Sequence, residues 1–398
     1  MSDVPPPQAW RPTNDSDARD ADAGGDFAAR FPRASEIIEQ GIADRLHIGA
    51  QIYVSRNLQT LADTGIGSAA PGRPMSADHI LVWLSAGKPF AAVAIGQLWE
   101  RGLLELDDRV ADHLPAFGNR GKENITLRQL LTHTCGFRWA NSASSSPWEA
   151  IIERICAAPL EPHWIPGRTA GYHAFTSWYI LGELVRLIDP QHRPYDQYVR
   201  EEIFEPLGMQ NSWFSMTPEQ VERDADRISL LIATNDSPVR PLQFDRPENS
   251  SRCVPGASGR GPMRELGRFY EILLRRGVSQ NDSANSKRIL LPQTVEALIA
   301  RHRTGIFDLT FKHMVDWGLG FVINSAQYGE ETVPYGFGPH ASPRTFGHAG
   351  NQSSIGMADP DNHLVIALVF NGMPGEEAHQ KRMRASLRAI YEDLQLIS

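Results

Sequence analysis

Apolar residues along this chain recur in helical spacing, then in alternation, then in helical spacing again, before alternation returns near the end. From Ala34 to Leu46, residues Ile37, Ile38 and Ile42 share one face and predict an amphipathic helix. Gly49-Ala-Gln-Ile-Tyr-Val-Ser55 and Gln59-Thr-Leu-Ala-Asp-Thr-Gly65 then read as strands, with Arg56-Asn57-Leu58 short enough to close a hairpin. Helical spacing dominates from about 86 to 300, in Pro89–Arg101, Leu127–Leu131, Trp148–Ala157, Ser177–Leu187, Tyr195–Phe204, Met263–Arg276 and Pro292–Ala300. Strands return in Trp317–Asn324, Arg344–His348, Ser353–Ala358 and His363–Asn371, and a last amphipathic helix covers about Glu377 to Leu394. This order predicts an α/β fold of the α+β kind, with one antiparallel sheet flanked by helices and built from both chain ends. The sheet domain would comprise residues 27–80 and 306–398, and residues 81–305 would form an inserted, mostly helical domain. Ligand sites favour such seams. Residues 1–26, rich in Pro, Asp and Ala, read as a disordered tail. Asn141-Ser-Ala-Ser-Ser-Ser146 reads as a mobile loop.

Composition narrows the function classes. With 398 residues, 41% of them hydrophobic, and nine Trp, the chain can bury a large core. A net charge of −8 argues against nucleic-acid binding, which needs a basic footprint. No apolar run approaches the length of a membrane span. The three cysteines, Cys135, Cys156 and Cys253, fit neither a disulfide nor a metal pattern, and the histidines form no tight motif. Gly65-Ile-Gly67 is followed by Pro71-Gly72 where a dinucleotide-binding loop would open a helix. No metal or organic cofactor is expected. The first 26 residues lack the basic and apolar regions of a secretory signal, so a cytoplasmic address is expected.

The chemistry starts at Leu81-Val-Trp-Leu-Ser85-Ala-Gly-Lys88. Serine and lysine three residues apart at a helix start share one face, so the amine reaches the hydroxyl. A serine alcohol needs an adjacent base to become a nucleophile. Lysine among apolar neighbours such as Trp83 and Phe90 loses its proton more readily. The helix N-terminus favours negative charge developing at Ser85. Lysine occurs at only five positions, and this is the chain's one Ser-x-x-Lys. Gly256-Ala-Ser258-Gly259-Arg260 nearly imitates a nucleophile elbow, but Arg260 stands where its last glycine belongs, so it reads as a loop.

Further segments carry a family likeness. Gln97 to Pro115, Asn124-Ile-Thr-Leu-Arg-Gln-Leu-Leu-Thr-His-Thr-Cys-Gly-Phe137, Pro166-Gly167, Phe204-Glu-Pro-Leu-Gly-Met209, Trp317-Gly-Leu-Gly320, Phe346-Gly-His-Ala-Gly-Asn351, Ala358-Asp-Pro360 and Val369-Phe-Asn371 resemble the serine β-lactamase-like superfamily. The likeness runs from about residue 34 to 395 and leans toward its family VIII carboxylesterases, D-aminopeptidases and transesterases. It implies the β-lactamase/DD-peptidase-like fold, with Ser85 as nucleophile and Lys88 and Tyr172 as proton carriers. Tyr172-His173-Ala174 stands where the family has Tyr-x-Asn; Lys88 is expected to lower the phenol for its role, and Ala174 removes an amide that would hold a substrate amide. His348-Ala349-Gly350 stands for Lys-Thr-Gly, with Ala349 and Gly350 leaving room for the acyl group and a mostly neutral His348 anchoring a carboxylate weakly. By the same resemblance, the Ser85 and Asn351 N–H groups form the oxyanion hole. Trp83, Trp139, Trp164, Tyr335 and Phe337 are candidates for an apolar acyl pocket.

The expected activity is a serine hydrolase working through an acyl-enzyme on Ser85, foremost a carboxylesterase on small-molecule esters. Its partners are an acyl ester or amide and, for transfer, an acceptor alcohol or amine. Acyl transfer in natural-product tailoring is the leading alternative, followed by D-amino-acid peptidase or β-lactamase activity. A non-catalytic sensor, motivated by Ala174, comes last.

Overall fold

The computed structural model describes residues 24–143, 145–235, 240–242, 247–278 and 288–397. Residues 1–23 of the expected tail lie outside the described residues, and the described chain opens with the helix Gly24–Arg30. Eight strands then form one sheet in the order Asp316–Trp317, Val322–Ile323, Phe346–Ala349, Ser354–Asp359, Leu364–Phe370, Gly49–Arg56, Gln59–Ala70, Arg73–Pro74. Every neighbouring pair is antiparallel. Leu364–Phe370 lies against Gly49–Arg56 with Ala50 opposite Phe370 and Arg56 opposite Leu364, so the two ends of the chain meet inside the sheet.

That central strand reads Leu-Val-Ile-Ala-Leu-Val-Phe, apolar throughout and buried throughout. Alternation sends its side chains to opposite faces. Leu364, Ile366, Leu368 and Phe370 join Ile38, Met383, Leu387 and Ile390, from the helices Pro32–Ala43 and Glu376–Asp393. Val365, Ala367 and Val369 join Leu266, Phe269 and Tyr270, from the helix Met263–Leu274. A strand covered on both faces needs no polar side, and each large side chain buried contributes about 1.5–3 kcal/mol.

Two local details follow from backbone freedom. The first hairpin turns at Asn57 (φ 50°) and Leu58 (φ 64°), both left-handed as a two-residue hairpin turn demands. The strand expected over Trp317–Asn324 is instead two short strands, with Asp316 opposite Ile323 and Trp317 opposite Val322. Gly318 and Gly320 permit the reversal: Gly320 has φ 79°, and a Cβ there would sit 2.5 Å from the Ala92 Cβ.

The helix Pro89–Glu100 is buried from Pro89 to Leu98 and packs between Thr176–Ile188 and Pro292–Ile299. It is apolar all round because it is surrounded. No helix among the described residues is long and apolar enough to cross a membrane.

A buried ion pair ties the sheet-side segment after residue 300 to the segments around 132 and 172. Arg303 Nη2 donates to Asp308 Oδ2 at 2.9 Å, and Arg303 Nη1 donates to the Thr132 carbonyl at 3.1 Å. Asp308 Oδ1 accepts the N–H groups of Tyr172, Thr310 and Phe311 at 2.9–3.0 Å. Both side chains are buried. Arg303→Met would strand the carboxylate, and the expected loss is about 3–5 kcal/mol, seen as a lower urea midpoint. An unchanged midpoint would show that this junction does not depend on the pair.

Candidate active site

Ser85 sits where a strand becomes a helix. Leu81–Val82 pairs with Arg260–Gly261, and the chain then tightens into the 3₁₀ turn Leu84–Gly87 before the Pro89–Glu100 helix. Leu84 takes φ 51°, a left-handed conformation that costs a branched residue energy. The surroundings hold it there. The Trp83 N–H donates to the Gly259 carbonyl at 2.7 Å, its indole N–H to Gly261 at 3.0 Å, and its carbonyl accepts the Ser354 hydroxyl at 2.5 Å.

Lys88, one turn on, has no solvent exposure. Its Nζ lies 2.8 Å from Ser85 Oγ, 2.8 Å from the Ala174 carbonyl oxygen and 2.6 Å from that of Gly256. No carboxylate is among these partners. Burial therefore pushes the amine well below its usual pKa. A neutral amine has two hydrogens and one lone pair. Two carbonyls take the hydrogens, and the lone pair is left facing the Ser85 hydroxyl.

Tyr172 bonds to Ser85 through its phenol and stands 5.2 Å, ring centroid to Lys88 Nζ, from the amine. Its backbone is pinned on both sides by Asp308 and Thr310. Its ring stacks on Phe311 at 4.7 Å and lies 4.7 Å from His133. The expectation that Lys88 lowers this phenol is overturned. Burial raises it most, the Ser85 hydrogen bond lowers it only in part, and the Asp308 charge raises it further.

The strand Phe346–Ala349 brings in the remaining candidates. His348 is buried, its Nδ1 lies 2.8 Å from the Ala349 carbonyl oxygen, and burial lowers it to about 3, with the adjacent Lys88 adding to the shift. It is a neutral imidazole at any ordinary pH. Gly350 meets the Ser85 turn edge-on: a Cβ there would lie 2.4 Å from the Trp83 carbonyl oxygen and 3.1 Å from the Leu84 Cβ. Only glycine permits this approach. The approach carries Asn351 to the same place, and neither the Ser85 nor the Asn351 N–H finds an acceptor among the described residues.

Some expectations need correcting. Trp83 cannot touch substrate through its ring, which has no exposure and packs against Phe90 and Phe204. Phe337 is core, and Trp164 is buried with its indole N–H on the Thr134 carbonyl. Trp139 is 74% exposed beside Arg138, and Tyr335 alone of the five aromatics reaches the Asn351 side chain. Ala174 contributes its carbonyl to Lys88 while its side chain faces outward. Sequence reasoning missed the Gly256 carbonyl as a partner of Lys88. It also missed Phe311 under Tyr172, and Asp308 behind it. The glycine of Gly256-Ala-Ser258 was the available signal: a Cβ there would sit 2.9 Å from the Ala174 oxygen and 3.2 Å from Lys88 Nζ.

The Beta-lactamase family profile matches residues 34–390. The chain belongs to the β-lactamase family. Esterase/beta-lactamase LipL of Mycobacterium tuberculosis (strain ATCC 25618 / H37Rv) is 26% identical over 332 residues, 75% of this chain and 70% of that protein. Esterase EstB of Burkholderia gladioli is 29% identical over 333 residues, 75% of this chain and 80% of its own length. A solved family VIII carboxylesterase superposes with a TM-score of 0.72 at 24% identity, covering 90% of this chain and 97% of that one, and shows the shared fold. Some curated relatives are longer, and the chain spans 65% of their length. This member of the β-lactamase family is a serine hydrolase or acyltransferase.

Folding should expel the Lys88 proton at any pH between its lowered value and the ordinary 10.5. In that window the unfolded chain binds more protons, so stability due to Lys88 rises with pH by at most about 1.4 kcal/mol per unit. Chemical denaturation of wild type and Lys88→Met between about pH 6 and 10 should show the wild type gaining on the variant as pH rises. A flat or falling difference would mean the folded amine is charged.

Proposed function

We propose that this chain is a carboxylesterase acting on small-molecule esters through an acyl-enzyme on Ser85. The observation that carries the reading is the dry Lys88 amine, tethered by two carbonyls with its lone pair toward Ser85 Oγ. Ser85 Oγ attacks the ester carbonyl as its proton passes to Lys88 Nζ. The carbonyl electron pair moves onto oxygen, where the Ser85 and Asn351 N–H groups receive it, each donor contributing about 2.7–4 kcal/mol. When the carbon–alkoxide bond breaks, Tyr172 gives its proton to the departing oxygen and regains one from Lys88. A phenol held protonated by burial suits that donation. Water then attacks the acyl-enzyme by the same proton route and restores Ser85.

Two features favour esters over lactams or peptides. Ala174 offers no side-chain amide to a substrate amide, and His348 is a buried neutral ring with no charge for a substrate carboxylate. EstB, named as an esterase, supports the same side of the family, and LipL is named as both esterase and beta-lactamase.

The test is p-nitrophenyl esters of graded chain length, with and without a small alcohol or amine. Ser85→Ala should lower kcat by on the order of 10⁴-fold or more, and Tyr172→Phe by about 10²–10⁴-fold. Intact mass should show an acyl adduct on wild type alone. Free acid as product supports the esterase, and an adduct that discharges only onto the added alcohol or amine identifies a transferase. Nitrophenol release that survives Ser85→Ala would sink both.

A further inference from the structure

Near Asn351 lies a carboxylate, Glu376, with no basic partner among the described residues. Tyr335 donates its hydroxyl to Glu376 at 2.7 and 2.8 Å, and the same hydroxyl oxygen is 3.2 Å from Asn351 Oδ1. Tyr335 lies 5.9 Å, ring to ring, from Phe311, which stacks on Tyr172. Glu376 is therefore linked through the Tyr335 hydroxyl to Asn351, the residue proposed to supply an oxyanion N–H, and it opens the helix Glu376–Asp393 as an exposed side chain. No ion pair joins it to a basic residue among the described residues.

Several other charges near Lys88 and Tyr172 are paired or suppressed. Arg303 is paired with Asp308, and Arg138 with Glu161. Lys88 is pushed toward neutrality by burial, and His133 and His348 are neutral for the same reason. Arg382, behind the 350–352 turn, points inward, with its guanidinium on the carbonyls of Leu46, Gln352 and Gly372. Glu376 is left as an exposed negative charge beside Tyr335 and Asn351.

We propose that Glu376 makes this cleft select esters whose acyl chain is neutral or cationic and reject anionic ones. This rests on the esterase reading. An acyl chain lying along Phe346–Ala349 passes Asn351 toward Glu376. A chain ending in an ammonium gains there, and one ending in a carboxylate meets repulsion that little intervening protein relieves. The substrate class is thus the reverse of the carboxylate-bearing β-lactams and D-alanyl peptides that a strand lysine would anchor.

Three p-nitrophenyl esters matched in shape test it: 6-(trimethylammonio)hexanoate, its neutral tert-butyl isostere, and 6-carboxyhexanoate. In wild type, kcat/KM should fall in that order, with the cationic-to-anionic ratio at least about tenfold and shrinking as salt is added. Glu376→Gln, which keeps an acceptor for Tyr335, should collapse that ratio toward one, and Glu376→Asp should keep most of it. A ratio that Glu376→Gln leaves intact, or an anionic ester preferred by wild type, would overturn the proposal. Failure of all three esters would instead count against the esterase reading, because the neutral isostere does not depend on Glu376's charge.

Discussion

The structure turns on keeping one amine out of water. An isolated ammonium in an apolar interior is costly unless a counter-ion accompanies it, and here none does. The fold meets that constraint with neutral acceptors. Two neighbouring carbonyls, of Ala174 and Gly256, accept from the amine, and burial pushes its pKa well down. The apolar helix from Pro89, the glycine at 256 and the left-handed Leu84 all serve to bring Lys88 and Ser85 together in a dry place. A carboxylate beside Lys88 would bind it more tightly and, by restoring its charge, remove its basicity.

The same suppression of charge extends to the groups around it. Tyr172 and His348 are held in their neutral forms by the burial that lowers Lys88, so the resting cleft stores protons without storing ions. In the proposed mechanism, charge appears only when Ser85 attacks, and the Ser85 and Asn351 N–H groups would receive it. Asp308 belongs to this economy although it lies behind the cleft. Its carboxylate is satisfied by Arg303 and three backbone N–H groups, so it fixes Tyr172 by its main chain, and its negative charge adds to the burial that keeps the phenol protonated.

Much of this was legible in the sequence because it is local. The Ser85–Lys88 spacing, the hairpin around Asn57, and the doubly apolar strand from Leu364 all act over a few residues, where periodicity speaks directly. The continuous strand over Trp317–Asn324 failed because Gly318 and Gly320 allow a reversal that apolar content conceals. Trp83 was misread because a tryptophan two residues from a reactive serine looks like a pocket wall, while the strand pairing with Arg260–Gly261 turns its ring inward. The carbonyls on Lys88 were invisible for a deeper reason. A backbone carbonyl has no residue identity, so only the demand for glycine at position 256 records its use.

That last point bears on how Ala174 should be read. Seen as a letter, it is a lost asparagine and suggests a decayed site. In space, the position still does the part of its work that catalysis by Lys88 needs, because the carbonyl that holds the amine belongs to the backbone and survives any side chain. What alanine removes is a polar group facing the substrate. A site losing catalysis would show damage at Ser85, at Lys88 or at the small residues that pack them, and Gly256 and Gly350 still meet contacts no larger residue could accept. Under the proposed mechanism, alanine at 174 narrows what the cleft can hold and leaves the Lys88–Ser85 contact intact, as a change of substrate within a working hydrolase would require.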